Sequence, residues 1–240
     1  MTSVARPCAT RAWYLLHIRA NILSNAQTLI VMAGRLSGKR RSQESSDMSS
    51  RRMTMGKYKI VAICGEAGAG KDSVMQAVLK KLKSMPTVSV HEIISCTTRP
   101  MREGEAEGVN YYYLTNEQFA EKVLNMEMLE ATCFNDWFYG TALQSLDETC
   151  VNIGVFNPDG IDALLESPLV DVTVYYVHAT DKNRLLRQLN REENPDVDEI
   201  IRRFKADRDD FSDLGFEYQV LPNDTYDDFH RAVMTIVSQL

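Results

Sequence analysis

Several features of secreted, membrane and zinc-binding proteins are missing from this sequence of 240 residues. Its five cysteines are scattered and form no Cys-x-x-Cys pair, which argues against a zinc site and against a disulfide framework. No apolar run approaches the roughly 18 residues that a membrane-spanning helix needs. The four histidines are isolated, and none belongs to a Ser/His/Asp or His/Cys grouping. We therefore expect reduced thiols and no contact with a membrane.

An excess of basic charge is also missing, because the net charge is −6 at pH 7 and the isoelectric point is about 5.3. A nucleic-acid partner bound through a broad basic surface is therefore not expected. Apolar residues make up 44% of the chain and charged residues 25%, which is typical of soluble globular domains. The length is sufficient for one large domain or two small ones, each with a buried core.

The first 56 residues differ in composition from the rest of the chain. They contain nine lysines or arginines but only two acidic residues, Glu44 and Asp47, and they are rich in serine. A cleavable organellar transit peptide has this basic, hydroxylated and acid-poor composition. The alternative is a start codon assigned too early, since Met53 and Met55 come just before the first strand-like run. We therefore leave residues 1–56 out of the fold and expect no fixed structure there.

Beyond residue 56, short β-branched or apolar runs alternate with segments of helical periodicity. The run 59–64 ends in glycines, as a buried parallel strand does, and the segment 71–83 repeats apolar residues at helical spacing and stops before Pro86. Strands separated by helices imply a mostly parallel sheet that helices cover on both faces. The predicted strands are 59–64, 88–95, 149–156, 172–177 and 216–221, and the predicted helices are 71–83, 115–125, 158–165, 181–192, 197–214 and 226–240.

The strongest local signal is the glycine-rich stretch GEAGAGK, which begins at Gly65, follows an apolar strand and opens a helix. Glycines let the backbone wrap a polyphosphate with N–H groups pointing inward, and the helix N-terminus adds partial positive charge. The lysine of such a loop reaches the β- and γ-phosphates. A glycine-rich turn with an incidental lysine is the alternative, but both flanks favour nucleotide binding. The residues predicted to bind ATP phosphates are Gly65, Glu66, Ala67, Gly68, Ala69, Gly70 and Lys71.

The residue after the lysine departs from the usual pattern of this loop. It is Asp72 where a serine or threonine usually binds Mg²⁺, and Ser73 follows it. A carboxylate can coordinate Mg²⁺, but it also repels nearby phosphate oxygens. The Lys-Asp-Ser order is similar to the loops of phage-type deoxynucleoside monophosphate kinases. Asp72 and Ser73 are therefore predicted ATP-binding residues and candidate Mg²⁺ ligands.

A second stretch, SCTTRPMREGEAEGVNY from Ser95 to Tyr111, resembles the signature of guanylate kinases. The resemblance continues without a gap to the Tyr-Gly-Thr sequence at 139–141, although the proline stands one place early. Arginines, a serine and tyrosine hydroxyls grouped around one loop can bind a dianionic monophosphate. A solvated polar loop is the alternative. The resemblance implies that the phosphate of the acceptor nucleotide is held by Ser95, Arg99, Arg102, Tyr111 and Tyr139.

The same resemblance places Glu130 and Thr141 at the positions that select guanine, where the glutamate accepts from N1 and N2 and the hydroxyl donates to O6. A buried carboxylate is costly unless it accepts hydrogen bonds, and the N1 and N2 groups of guanine supply two adjacent donors. The family's aspartates after the central strand correspond here to Val155 and Asn157, so we expect a weaker preference for guanine than the loop alone implies. Asn157 is the predicted contact with GMP, and Asp159 is the alternative.

Arginines on the two helices predicted at 181–192 and 197–214 resemble those of the family's mobile lid, which closes over ATP and the transferring group. Arg187 and Arg191 are four residues apart and are predicted to share one helix face. A solvated basic face is the alternative. Two further arginines, Arg184 and Arg202, are predicted to face solvent. The predicted catalytic residues are Lys71, Arg99, Arg187, Arg191 and Arg203, and Asn223 is the predicted contact near the adenine.

The resemblance implies a P-loop NTPase fold of three layers, with a mostly parallel five-stranded core sheet, a small monophosphate-binding subdomain and a helical lid. The implied activity is transfer of the γ-phosphoryl group of ATP to GMP or dGMP with Mg²⁺, in purine nucleotide metabolism. The core is expected at 57–94, 146–180 and 206–240, the acceptor-binding subdomain at 95–145 and the lid at 181–205.

Two other functions remain open at this point. One is a kinase of different or broader base specificity, which Asp72 and Asn157 favour. The other is an inactive guanylate-kinase-like binding module, which the intact Gly70-Lys71 pair disfavours. The expected state is a monomer or homodimer in the cytoplasm, or in a mitochondrion or plastid if residues 1–56 are a transit peptide.

Overall fold

The computed structural model describes residues 58–85, 88–102, 104–134, 137–191 and 193–240, so the basic leader predicted at 1–56 lies outside the described residues. Nine strands are described: β1 (Tyr58–Cys64), β2 (Val90–Glu92), β3 (Cys96–Thr97), β4 (Tyr112–Tyr113), β5 (Met128–Phe134), β6 (Trp137–Ala142), β7 (Val151–Val155), β8 (Val170–His178) and β9 (Gln219–Pro222). The described α-helices are α1 (Lys71–Lys83), α2 (Asn116–Leu124), α3 (Pro158–Glu166), α4 (Asp181–Leu189), α5 (Val197–Asp210) and α6 (Tyr226–Gln239), and one 3₁₀ turn covers Leu143–Ser145.

The larger sheet has five strands in the order β2-β7-β1-β8-β9, and every neighbouring pair is parallel. Its central strand β1 is buried from Ile60 to Cys64, which is why it reads as a continuous apolar run rather than as an alternating one. Parallel strands need crossover connections, and helices supply them here. The predicted α/β fold with a five-stranded parallel core sheet is confirmed.

Helix α1 packs its apolar face into the main core next to this sheet. Val74, Val78, Leu79 and Leu82 are at most 1% exposed, and they share one cluster with apolar residues of β1, β8 and α6. Burying each such side chain contributes about 1.5–3 kcal/mol. This packing fixes the start of α1, and with it the glycine-rich stretch, against the carboxyl end of β1.

A second, smaller sheet has four strands in the order β4-β3-β6-β5 and carries its own core. Helix α2 covers it with Phe119 and Val123. Thr115 begins this helix with a capping box, in which its hydroxyl accepts the N–H of Gln118 and the Gln118 side chain accepts the N–H of Thr115. The predicted cap at Thr115 is confirmed.

By its internal contacts, the described chain divides into two compact units. The first consists of Ser95–Gln144 with Ser167–Leu169, and it contains the four-stranded sheet. The second consists of Tyr58–Ile94, Ser145–Glu166 and Val170–Leu240, and it contains the parallel sheet together with α4 and α5. Within the described ranges, no helix is both long and apolar enough to cross a membrane.

Candidate functional site

The glycine-rich stretch forms a tight turn between β1 and α1, which we call the phosphate loop (residues 65–71). Gly68 and Gly70 have φ angles of 80° and 91°, in the left-handed region that favours glycine. A Cβ at Gly68 would lie 2.5 Å from the carbonyl oxygen of Arg184 on α4. The loop therefore needs glycine both for its dihedral angles and for close approach to the neighbouring helix.

Side chains from two other elements bind the carbonyl groups of this loop. The Arg187 guanidinium donates to Gly68 O at 3.2 Å and to Ala69 O at 3.1 Å, and the Asn223 amide donates to Ala69 O at 2.7 Å. A further bond of 2.6 Å runs from Arg187 to Asn223 O. These bonds hold the loop carbonyls toward Arg187 and Asn223, which fixes the orientation of the adjoining peptide groups.

The N-terminus of α1 is suited to an anion. Its N-cap residue is Gly70, and no side-chain cap is formed there in the described structure. The first turn carries the partial positive charge of a helix of 13 residues, and Lys71, with 23% of its side chain exposed, adds a full charge. Next to this turn lies a pocket of about 290 Å³, lined among others by Ser73, Asp224 and Tyr226. Phosphate groups and an attached nucleoside fit this combination of charge and space.

Asp72 and Ser73 lie in the first turn of α1 and expose their side chains to solvent. The Asp72 carboxylate is 3.9 Å from the Lys71 ammonium. Among the described residues, no group of three or more His, Cys, Asp or Glu side chains could enclose a metal ion. A carboxylate and a hydroxyl beside a phosphate site nevertheless fit Mg²⁺, because this ion usually takes one or two protein oxygens and completes its shell with water and phosphate.

A buried group of charges lies directly behind the phosphate loop. The Arg184 guanidinium, 1% exposed, donates to Glu66 Oε1 and to Asp207 Oδ2, both at 2.9 Å. Asp207 Oδ2 also accepts the N–H of Ala67 at 2.7 Å. Burial raises the pKa of Asp207, although Ala67, Arg184 and Lys71 oppose that rise. One arginine thus joins two carboxylates to the backbone of the loop.

In the smaller unit, Arg99 lies at the centre of the segment that resembles the acceptor signature. It is 4% exposed, donates to both carboxylate oxygens of Glu105 at 2.8 and 2.9 Å, and lies 5.4 Å from the centre of the Tyr111 ring. Tyr111 in turn lies edge-on to Tyr139, with 6.0 Å between ring centroids. Three of the predicted phosphate-binding residues are therefore brought together.

Glu105 organises this cluster. It accepts hydrogen bonds from Arg99, from the backbone N–H of Arg102 and from the Tyr113 hydroxyl. Burial disfavours its ionised form, but these hydrogen bonds outweigh burial and lower the pKa of Glu105 to about 2. The carboxylate therefore stays charged at neutral pH and holds the Arg99 side chain in one position.

We expect Glu105→Gln to lower the free energy of unfolding at pH 7 by about 2 kcal/mol, because it leaves the buried guanidinium of Arg99 without its charged acceptor. The depressed pKa means that this contribution is present above pH 4.5 and is lost as the pH falls toward 2. Urea unfolding at pH 7 and pH 3 measures both effects. Glu121→Gln, an exposed change on α2, should shift the same quantity by less than about 0.5 kcal/mol. Equal effects of the two variants would contradict this role of Glu105.

The pair predicted to select the base lies on adjacent strands of the smaller sheet, with Glu130 on β5 opposite Thr141 on β6. Glu130 is 4% exposed and Thr141 is fully buried, and the Thr141 hydroxyl has no hydrogen-bond partner among the described residues. Burial raises the pKa of Glu130 to about 7, although neighbouring Thr141 opposes that rise. Buried polar groups usually have partners, so this pair is suited to a polar ligand.

The family model described as guanylate kinase matches residues 57–240. The chain belongs to the guanylate kinase family. A guanylate kinase of Thermotoga maritima is 33% identical over 186 residues, covering 75% of this chain and 86% of that relative. A guanylate kinase of Chlorobium luteolum is 29% identical over 199 residues, covering 75% of this chain and 91% of that relative. The predicted family is confirmed.

A solved structure is also similar to this guanylate kinase family member. The crystal structure of guanylate kinase from Anaplasma phagocytophilum aligns with a TM-score of 0.55 at 20% sequence identity, and the alignment covers 77% of this chain and 85% of that one. At this identity the likeness supports the fold alone. It agrees with the α/β fold described above.

The arginines in and near α4 and α5 differ from their predicted positions in this family member. Helix α4 ends at Leu189, so Arg191 lies beyond it and does not share a helix face with Arg187. Arg187 binds carbonyl groups of the phosphate loop. Arg203 is paired with Glu199 on its own helix at 2.7 Å. The prediction of a common face for Arg187 and Arg191 is wrong because the helix is shorter than its sequence pattern.

Arg184 was predicted to face solvent, and this prediction is also wrong. It is 1% exposed, because acidic residues on the phosphate loop and on α5 pair with it. Arg202, by contrast, is 44% exposed and pairs with Glu199, as expected of a solvated residue. The spacing of three between Arg184 and Arg187 indicates only that they share a helix face, so the sequence contained no signal that Arg184 is buried.

Asn157 serves as a helix cap in this structure. Its side-chain oxygen accepts the N–H of Gly160 at 2.9 Å in the first turn of α3. The alternative contact, Asp159, is exposed one position into that helix. Ser95 precedes β3, and its carbonyl accepts the N–H of Tyr112 at 2.9 Å. The roles of all the predicted GMP-binding residues, Ser95, Arg102 and Asn157 among them, stay predictions.

Proposed function

We propose that this protein transfers the γ-phosphoryl group of ATP to GMP or dGMP and so produces GDP or dGDP. The observation that carries the proposal is the family match over residues 57–240, which spans both an intact phosphate loop and the acceptor signature. In the described structure the phosphate loop leads into the first turn of α1, and the acceptor signature contains Arg99 and Tyr111. The same match includes the Glu130–Thr141 pair on β5 and β6.

On the donor side, Lys71 and the N–H groups of the phosphate loop hold the polyphosphate of ATP. Arg187 and Asn223 support the loop through its carbonyls, and the adjacent pocket offers space for the nucleoside. Asp72 and Ser73 would hold Mg²⁺, which supplies charge neutralisation to the phosphates when bound. Arg191 and Arg203 are proposed to act from the lid segment 181–205.

On the acceptor side, Arg99, Tyr111 and Tyr139 bind the monophosphate together with Ser95 and Arg102. Glu130 accepts from the two adjacent N–H groups of guanine, and the Thr141 hydroxyl donates to the carbonyl oxygen of the base. An acceptor phosphate oxygen is already anionic near neutral pH, so the reaction needs no general base and depends on positioning and charge neutralisation. The sequence places no histidine in a Ser/His/Asp or His/Cys grouping, which is consistent with this chemistry.

A second candidate is a kinase for a different or broader set of monophosphates. It is favoured by Asn157, which carries no charge and whose side-chain oxygen accepts the Gly160 N–H. An uncharged side chain discriminates less sharply among bases than a carboxylate does.

A coupled assay of ATP turnover with each nucleoside monophosphate in turn separates these functions. We expect turnover with GMP and dGMP, and turnover at least about a hundredfold slower with AMP, CMP and TMP, because a wrong base leaves Glu130 unpaired. Efficient use of TMP or CMP without GMP would establish the second candidate instead. Affinity for ATP without transfer to any monophosphate would indicate a binding module.

A further inference from the structure

The phosphate loop contains an acidic side chain that the proposed mechanism does not use. Glu66 is the second residue of the loop, and its side chain is 10% exposed. Its carboxylate accepts a hydrogen bond from the Tyr176 hydroxyl at 2.8 Å. A negative charge at the base of a loop that binds an anion weakens binding unless another group balances that charge.

Arg184 is placed to provide this balance. Its guanidinium bonds Glu66 Oε1 and Asp207 Oδ2, each at 2.9 Å, and reaches Asp181 Oδ1 at 3.2 Å. It also stacks over Phe204, with 4.5 Å from its central carbon to the ring centre. The full burial of Arg184 limits screening by solvent, so each of these interactions is stronger than it would be at the surface.

The same arginine is linked to the backbone of the loop. Arg184 Nε donates to Ala67 O at 3.2 Å, and Asp207 Oδ2 accepts Ala67 N–H at 2.7 Å. The peptide groups on both sides of Ala67 are therefore bound by one ion pair. Next to them, Gly68 lies against the Arg184 backbone so closely that a Cβ would not fit. The shape of the loop thus depends on the Arg184–Asp207 pair.

We propose that Arg184 is a positioning residue for the ATP site, which neutralises Glu66 and Asp207 behind the phosphate loop and fixes the loop in its binding conformation. The inference rests on the proposed function in so far as ATP is the phosphoryl donor. Arg184 acts through the loop, as Arg187 does through the loop carbonyls, whereas Arg191 and Arg203 are proposed to act from the lid segment. Without Arg184, two buried carboxylates repel the phosphates of the nucleotide.

The test measures the affinity of a non-hydrolysable ATP analogue by calorimetry, without GMP, for four variants of the full chain. We expect Arg184→Gln to raise its Kd at least tenfold. In the double variant Glu66→Gln/Arg184→Gln, log Kd should rise by at most half as much as in Arg184→Gln, because the unbalanced charge of Glu66 is also removed. Glu66→Gln alone should lower Kd, because it removes a negative charge behind the loop while Arg184 stays in place. Arg231→Gln, which changes an arginine with 72% of its side chain exposed on α6, should leave Kd within twofold.

In a parallel steady-state assay, Arg184→Gln should raise KM for ATP at least tenfold and KM for GMP less than threefold. An unchanged Kd in folded Arg184→Gln would overturn the inference. Equal weakening in the single and double variants would overturn it too, because a merely structural arginine is not rescued by removing a carboxylate. If Arg184→Gln does not fold, Glu66→Gln decides the matter, since weaker binding by that variant contradicts charge neutralisation. Binding is measured without an acceptor, so the absence of GMP turnover would defeat the proposed function and leave this test intact.

Discussion

Replacing Lys71 by alanine is expected to lower kcat for phosphoryl transfer from ATP to GMP by at least about a hundredfold. Lys71 is the first residue of α1, where its ammonium and the helix N-terminus both present positive charge to an anion. The charge on the transferring group is redistributed in the transition state, and a preorganised cation stabilises it there more than in the ground state. Steady-state kinetics with saturating GMP measures this effect.

Lys80→Ala is the matched control for this change. Lys80 lies on the same helix and is exposed, so its loss should alter kcat by less than twofold. Both variants should unfold within about 0.5 kcal/mol of the unmodified protein, because neither residue belongs to the core. Turnover by Lys71→Ala at the rate of the unmodified protein would remove the phosphate loop from the proposed mechanism.

The parallel sheet and the phosphate loop could be predicted because each has a strong local cause. Ile60 to Cys64 are buried on both faces of β1, which leaves a continuous apolar run in the sequence. The glycines that follow adopt φ angles that few other residues tolerate, so their positions mark the turn. Local chemistry determines these features, and the sequence therefore reports them directly.

The hairpin of β5 and β6 was not predicted, and its burial pattern explains why. A strand with one solvated face alternates apolar and polar residues, but in β5 the polar residues Glu130 and Thr132 are as buried as Leu129 and Ala131. The sequence keeps a period of two from Leu129 to Cys133, but this alternation does not divide a buried face from a solvated face. A candidate binding residue, Glu130, is part of the reason, since local sequence rules fail where function needs a polar group inside.

The arrangement of α4 and α5 could not be predicted from helical periodicity. The buried position of Arg184 depends on Glu66 and Asp207, which are 118 and 23 residues away along the chain. A helical wheel contains no information about partners at such distances. An arginine among solvated residues reads as a surface group, and only the tertiary contacts make it part of the core.

Glu130→Gln is expected to separate stability from function in this protein. The pKa of Glu130 in the folded state is raised to about 7 by burial, while its ordinary value is 4.5. Between pH 4.5 and 7 the Glu130 carboxyl is therefore protonated in the folded state but ionised in the unfolded state. The free energy of unfolding falls as the pH rises through this range. This shift in pKa corresponds to a loss of roughly 3 kcal/mol in the free energy of unfolding. Glu130→Gln does not undergo this loss, because glutamine does not ionise.

Urea unfolding at pH 4.5 and pH 8 measures this difference. Relative to the unmodified protein, Glu130→Gln should gain about 3 kcal/mol in free energy of unfolding between the two pH values. Glu121→Gln, an exposed change with no such burial, should show no comparable gain. A Glu130→Gln variant whose relative stability does not change with pH would mean that this carboxyl group titrates normally.

The same substitution should raise KM for GMP by about a hundredfold. Guanine presents two adjacent donors, but a glutamine amide offers only one acceptor and adds a donor. One buried N–H group of guanine therefore stays unpaired. In the unmodified protein, only the ionised carboxylate accepts both donors, and KM for GMP should therefore rise up to tenfold for each pH unit below 7. Protonation of the GMP phosphate also changes KM with pH. Glu130→Gln should keep that dependence and should lack the additional rise in KM below pH 7. A variant that is more stable at pH 8 and still phosphorylates GMP normally would show that the buried charge is not there for the base. Greater stability at pH 8 together with weaker GMP binding would show that the Glu130 carboxylate destabilises the fold but is needed to bind the base.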